Sequence, residues 1–177
     1  LYGDLSGIDE QDVDGWDQAD SGIQGTCDAG DHFGNALTTG DFDGDGFDDL
    51  AIGIEQDDVD DVDFAGGVSI LFGSSGRLTT RDQLWNQAGD VVGAVEANDE
   101  MGHSLAAGDF DGDGSSDLAF GGILEDVDDG VTNVVDAGTV NVLYGDSGVG
   151  LTTVGNLTFN QLDPSLMPDH PETGDHL

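Results

Sequence analysis

Asp41, Asp43, Asp45 and Asp49 fall at positions 1, 3, 5 and 9 of the run Asp41-Phe42-Asp43-Gly44-Asp45-Gly46-Phe47-Asp48-Asp49. Asp109, Asp111, Asp113 and Asp117 repeat the spacing 68 residues later. Alternate side chains on a tightly curled loop converge on one point, and four like charges so close repel unless a cation sits between them. The chemistry on offer is therefore capture of a hard cation. Calcium takes roughly 6–8 oxygen ligands at about 2.3–2.6 Å, whereas magnesium tolerates such all-protein cages poorly. Zinc is disfavoured because the runs contain no Cys or His. Gly46 and Gly114, at position 6, permit the sharp turn. The position-7 carbonyls of Phe47 and Ser115 are the natural further ligands. The helix-loop-helix calcium motif does not fit, since it needs a Glu at position 12, where this chain has Ile52 and Phe120. A solvated acidic turn would also be rich in Asp, but two copies in register, each with its glycine, favour calcium.

Two cages in register require two copies of whatever carries them. Leu1-Tyr2-Gly3 recurs as Leu71-Phe72-Gly73 and Leu143-Tyr144-Gly145, and Trp16-Asp17-Gln18 as Trp85-Asn86-Gln87 and Phe159-Asn160-Gln161. Asp31-His32-Phe33-Gly34 recurs as Asp99-Glu100-Met101-Gly102 and, cut short, as Asp175-His176-Leu177. Markers that keep one order and nearly one period define a repeat. Each unit reads as four short strands: Phe33 to Phe42, Leu50 to Ile54, Gly67 to Phe72 and Gln83 to Gln87, then 101–110, 118–123, 138–144 and 157–161. The 30 glycines and 3 prolines suit short strands and tight turns better than helices. Four antiparallel strands per unit describe a propeller blade. The expected fold is all-β, an open segment of about two and a half repeats. Residues 1–32 read as the end of a preceding blade and its connector. Residues 33–100 and 101–176 read as two full blades with connectors. Raw blade faces are expected to continue into further blades or to pack on another copy. The unequal phase of the two ends argues against seamless closure by a second copy.

Phe33-Gly34-Asn35-Ala36-Leu37, Gly40 to Gly46 and Asp49-Leu50-Ala51-Ile52-Gly53 together resemble the FG-GAP repeat of integrin α-subunit β-propellers. The chain is closer still to secreted bacterial proteins of that kind. Met101 replaces the Phe of Phe-Gly in the second copy. The resemblance implies a seven-bladed propeller in the parent protein, with calcium on the loops between first and second strands. It does not imply integrin-type ligand binding.

Of 177 residues, 39 are Asp or Glu and 2 are Arg, with no Lys, for a formal charge of −37. A polyanion repels phosphates and anionic lipid surfaces, so nucleic-acid and membrane-surface partners are excluded as expectations. No apolar run is long enough for a membrane span. Two calcium ions would offset little of the charge. Either many more cations bind, or the protein works in saline or calcium-rich surroundings. A second acidic cluster, Asp57-Asp58-Val59-Asp60-Asp61 and Glu125-Asp126-Val127-Asp128-Asp129, with Asp63 and Asp136 nearby, reads as a solvated loop rather than a further cation site in 57–63 and 125–136. Cys27 cannot form an internal disulfide and reads as inert. Asn156-Leu157-Thr158 is a sequon of the kind that arises by accident. Residues 163–171 read as an extended connector. The chain does not begin with Met and is read as a trimmed or mature segment.

His32, His103, His170 and His176 lie in no recognisable catalytic motif. The expected function is thus a non-enzymatic, calcium-binding, extracellular or cell-surface module for adhesion or for protein or glycan interaction. The alternative is a structural subunit of a self-assembling extracellular filament or surface layer, its partners other copies of itself. A part of a hydrolase ranks third.

Overall fold

The computed structural model describes residues 2–4, 7–9, 13–88, 91, 93–128 and 133–160. It begins with a small antiparallel hairpin of β1 (Tyr2–Asp4) and β2 (Gly7–Asp9). Two four-stranded antiparallel sheets follow. The first contains β3 (Phe33–Gly40), β4 (Asp49–Ile54), β5 (Gly67–Leu71) and β6 (Asp82–Trp85), in the spatial order β3-β4-β5-β6. The second contains β7 (Met101–Gly108), β8 (Asp117–Gly122), β11 (Thr139–Asp146) and β12 (Gly150–Phe159), again ordered from first strand to last. Between β8 and β11 a short hairpin pairs β9 (Val127–Asp128) with β10 (Asn133–Val134). These are consecutive blades of an open propeller, as the repeat predicts.

The runs expected as second and third strands form β4 and β5, the two inner strands of the first sheet, and β5 is buried along its whole length. The Phe-Gly and Met-Gly markers acquire a geometric meaning. Register slips between Phe33 and Leu37, and again between Met101 and Ser104. Gly34 and Gly102 sit there at φ of 94° and 87°, so each first strand opens on a bulge that a side-chain-bearing residue would resist. The last strand differs most from expectation. It runs from Gly150, not from 157, because a tight turn after Asp146 returns the chain at once. A register shift opposite Val142 and Tyr144 then absorbs the extra residues around Gly155. The β9–β10 hairpin was not foreseen either.

The two blades share one core. Phe42, Val68, Ile70 and Phe72 of the first pack with Met101, Leu118, Phe120 and Leu143 of the second. Backbone also bridges the seam: Met101 N–H donates to Ala65 O at 3.0 Å and Glu100 N–H to Phe64 O at 3.2 Å. The opposite face of the first blade is covered by the entering connector, with Trp16 and Ile23 against Ile52 and Leu71. Among the described residues, no helix is long and apolar enough to cross a membrane.

Candidate metal sites

Both aspartate runs lie on the turn from the first to the second strand of a blade, between β3 and β4 and between β7 and β8. In the first turn, one oxygen each from Asp41, Asp43 and Asp45 lies within 4.8 Å of the others. The curl is set by the Asp41 carboxylate, which accepts from Asp45 N–H at 3.0 Å and from Gly46 N–H at 2.9 Å. Gly46 has φ 92°. In the second turn the oxygens that come within 4.8 Å of one another are those of Asp109, Asp111 and Asp117, so position 9 joins the group there in place of position 5, and Asp49 and Asp113 fall outside the two groups. Asp109 accepts from Asp113 N–H at 3.1 Å and Gly114 N–H at 3.2 Å.

The position-9 residues do more than the sequence suggests. Asp49 is buried and accepts two backbone N–H groups, from Phe42 and from Gly73, both at 2.8 Å. Burial pushes its carboxyl up to about 6 against those two bonds, and the charges of Asp43 and Asp41 add to the rise. Asp117 repeats the arrangement with Phe110 N–H at 2.6 Å and Gly145 N–H at 2.9 Å. Each therefore ties its turn to the end of the third strand. Asp113 accepts from Ser115 N–H, and Asp45 from Phe47 N–H, so the position-7 residues are held by position 5 in both turns.

Fit to a cation can be judged from Asp43. It is 3% exposed. Its Oδ2 pairs with the Arg81 guanidinium, while its Oδ1 is buried with no hydrogen-bond partner among the described residues. A buried carboxylate oxygen without a donor is costly, and a bound cation facing it would remove the cost. An all-oxygen donor set on a glycine-turned loop suits calcium. Arg81 stacks 3.7 Å from the centroid of the Phe72 ring and donates to Val149 O of the second blade at 2.7 Å. The first turn is thereby locked to the neighbouring blade. Ser116 N–H donates to Asp41 O at 2.7 Å, and Gly148 N–H to Asp43 O at 2.6 Å. An ion seated in the first turn would stiffen the seam between the blades as well as its own loop.

The second acidic cluster is only partly a solvated loop. Asp57 and Glu125 are each 4% exposed. Gln18 Nε2 donates to Asp57 Oδ1 at 3.0 Å, and Gln87 Nε2 to Glu125 Oε2. Burial pushes Asp57 up to about 6 and Glu125 up to about 8, the latter helped by Asp99 and Glu96. The Gln of each Trp-x-Gln marker thus serves the acid of the following blade. Only the shared period of the two markers hinted at this.

A third constellation joins Glu55, at the end of the first blade's second strand, to His32 Nδ1 at 3.0 Å and to His103 Nδ1 at 2.7 Å. Burial acts to raise the Glu55 carboxyl, but its bonds to the two imidazoles hold it below the ordinary range. His170 and His176 lie outside the described residues, as do Gln161 and the connector from 163. Cys27 is an exposed thiol.

The FG-GAP repeat family profile matches residues 33–71, which is the first blade through its third strand. The phosphatidylinositol-glycan-specific phospholipase D of Rattus norvegicus is 31% identical over 119 residues, 67% of this chain and 13% of that protein. Integrin alpha-PS2 of Drosophila melanogaster is 33% identical over 114 residues, 63% of this chain and 7% of that protein. The Bos taurus phospholipase D of the same name is 29% identical over 121 residues, 68% of this chain and 14% of that protein. The chain spans no more than 14% of the length of these curated relatives.

Proposed function

The chain is an FG-GAP repeat protein, and we propose that it serves as a calcium-stabilised, extracellular propeller module for adhesion or for protein or glycan interaction, with no catalytic role of its own. The observation that carries this reading is the pair of convergent aspartate turns, one per blade, with the buried and unpartnered Asp43 Oδ1 in the first. Asp41, Asp43, Asp45 and Asp49 would hold one calcium ion, with the Phe47 carbonyl. Asp109, Asp111, Asp113 and Asp117 would hold another, with the Ser115 carbonyl. Calcium would supply only charge and geometry there. The chain's own residues draw each turn closed and lock it to the third strand and, in the first turn, to the next blade. A rigid array of loops along one edge is what a recognition surface requires. Residues 1–32, 33–100 and 101–176 would be its successive units.

The phospholipase relatives carry the likeness within long proteins, and a propeller segment can accompany a catalytic domain. An enzyme in the parent chain would therefore leave the role of this segment intact. Assembly is the second reading. Val154 and Leu157 stand exposed on the last strand, at 81% and 43%, and invite a neighbour. Sedimentation in calcium and in chelator, paired with binding to arrayed extracellular proteins and glycans, separates the readings. A monomer whose ligand capture disappears in chelator supports the adhesion module. A calcium-dependent polymer without ligand capture supports assembly. Behaviour indifferent to chelator overturns both.

A further inference from the structure

We propose that Glu55, Glu100 and His103 form a second, chemically distinct metal site at the blade seam, one that takes a divalent transition ion of the zinc class rather than calcium. One ligand atom from each lies within 4.8 Å of the others. Imidazole with carboxylates suits zinc, cobalt and their neighbours, whereas calcium wants oxygen alone. In a tetrahedral site with bonds of about 2.0–2.2 Å the donors stand about 3.4 Å apart, so small side-chain adjustments close the cage. Three protein ligands leave a fourth position for water or for a partner's group.

The fold builds this place from two blades. Gly53 of β4 meets the second blade so closely that a Cβ there would come within 2.2 Å of Gly102 O. That contact sets Glu55, two residues on, against His103, the residue after Gly102. Asn35 Nδ2 lies between them, 3.2 Å from Glu55 Oε2 and 3.3 Å from His103 O, and orients the carboxylate as an outer-shell partner does. His32, on the other Glu55 oxygen, closes the far side at 3.0 Å. Both imidazoles are about half exposed, which leaves an entry path.

The residues are also departures from the repeat. His103 stands where the first blade has Asn35, Glu100 where it has His32, and Glu55 where the second blade has Ile123. The donor set therefore belongs to this one seam and not to every blade. It shares no ligand with the aspartate turns, and its occupancy does not depend on theirs.

The test is zinc titration by calorimetry on the full chain in saturating calcium, with cobalt as the spectroscopic probe. The site predicts a single zinc equivalent per chain and the visible absorption of four-coordinate cobalt. His103→Asn, which installs the residue of the preceding blade, and Glu55→Gln each weaken zinc by more than about tenfold. Asp111→Asn does not. Imidazole NMR of the unaltered chain is independent of any variant's folding: the His103 ring signals shift on cobalt addition. Absence of zinc binding in calcium overturns the proposal. So does binding that His103→Asn and Glu55→Gln leave unchanged, or cobalt shifts that spare His103.

Discussion

Glu125 lies buried against Asp99 and takes a hydrogen bond from Gln87, a residue of the preceding blade's exit. Burial and the neighbouring acids favour its protonated form, so the folded chain holds a proton that the unfolded chain releases. A group raised in this way contributes stability that is fully present below its ordinary value of 4.5 and is lost as pH rises through about 8. Glu125→Gln mimics the protonated acid. It should match the unaltered chain near pH 4.5 and exceed it at pH 8 by roughly 1–3 kcal/mol, read from denaturant melts across that range. A deficit equal at every pH would contradict this. Arg81 makes the opposite case, a cation in a chain almost without them. Arg81→Gln removes the Phe72 stack and the bonds to Asp43 and Val149. The expected cost is about 1–3 kcal/mol in chelator and less in calcium, where an ion would still face Asp43; parallel melts compare the two. The approach of Asp41, Asp43 and Asp45, and of Asp109 and Asp111, was legible from spacing, whereas the backbone N–H bonds that take both oxygens of Asp49 and Asp117 were not. Nor were the roles of Asp57 and Glu125, because the glutamines that meet them lie 39 and 38 residues away and no local pattern pairs them.

At the scale of elements, blade stacking rests on backbone reaching backbone. Gly53, facing Gly102 O, is the sharpest instance. Gly53→Ala should destabilise the chain by about 1–3 kcal/mol, since neither backbone can retreat without parting the sheets. Gly76→Ala, where the added methyl meets nothing within 4 Å, should stay within about 0.5 kcal/mol. Thermal melts of the two variants decide it, and equal losses would show that the close approach is not what matters. Strands β4 and β5 were readable because both faces are buried and the sequence is correspondingly apolar. Strand β12 was not. Thr152-Thr153-Val154-Gly155-Asn156 alternates weakly, lies at a sheet edge and carries a register shift, so the only strong signal lay at its far end. The bulges after Phe33 and Met101 were visible as glycines but not as geometry.

For the whole molecule, charge is the dominant fact. A formal −37 on 177 residues opposes compaction, and screening relieves it. The melting temperature in chelator should therefore climb steadily with added sodium chloride; a flat response would mean that self-repulsion is already offset. Under the calcium proposal, calcium should raise stability further than an equal ionic strength of sodium, because an ion in the first turn would brace a loop that is tied to the next blade. The repeat made the blades legible, since one period governs turns, strands and connectors together. Most of the seam was illegible, since its contacts join residues that share no local motif. The central claim, that the two aspartate turns are calcium cages, is tested most directly by calorimetric titration of the chelator-stripped chain with calcium. The expected result is two ions per chain, falling to one in Asp109→Asn and to none when Asp41→Asn is added. Heat unchanged by either substitution, or no calcium heat at all, would contradict it.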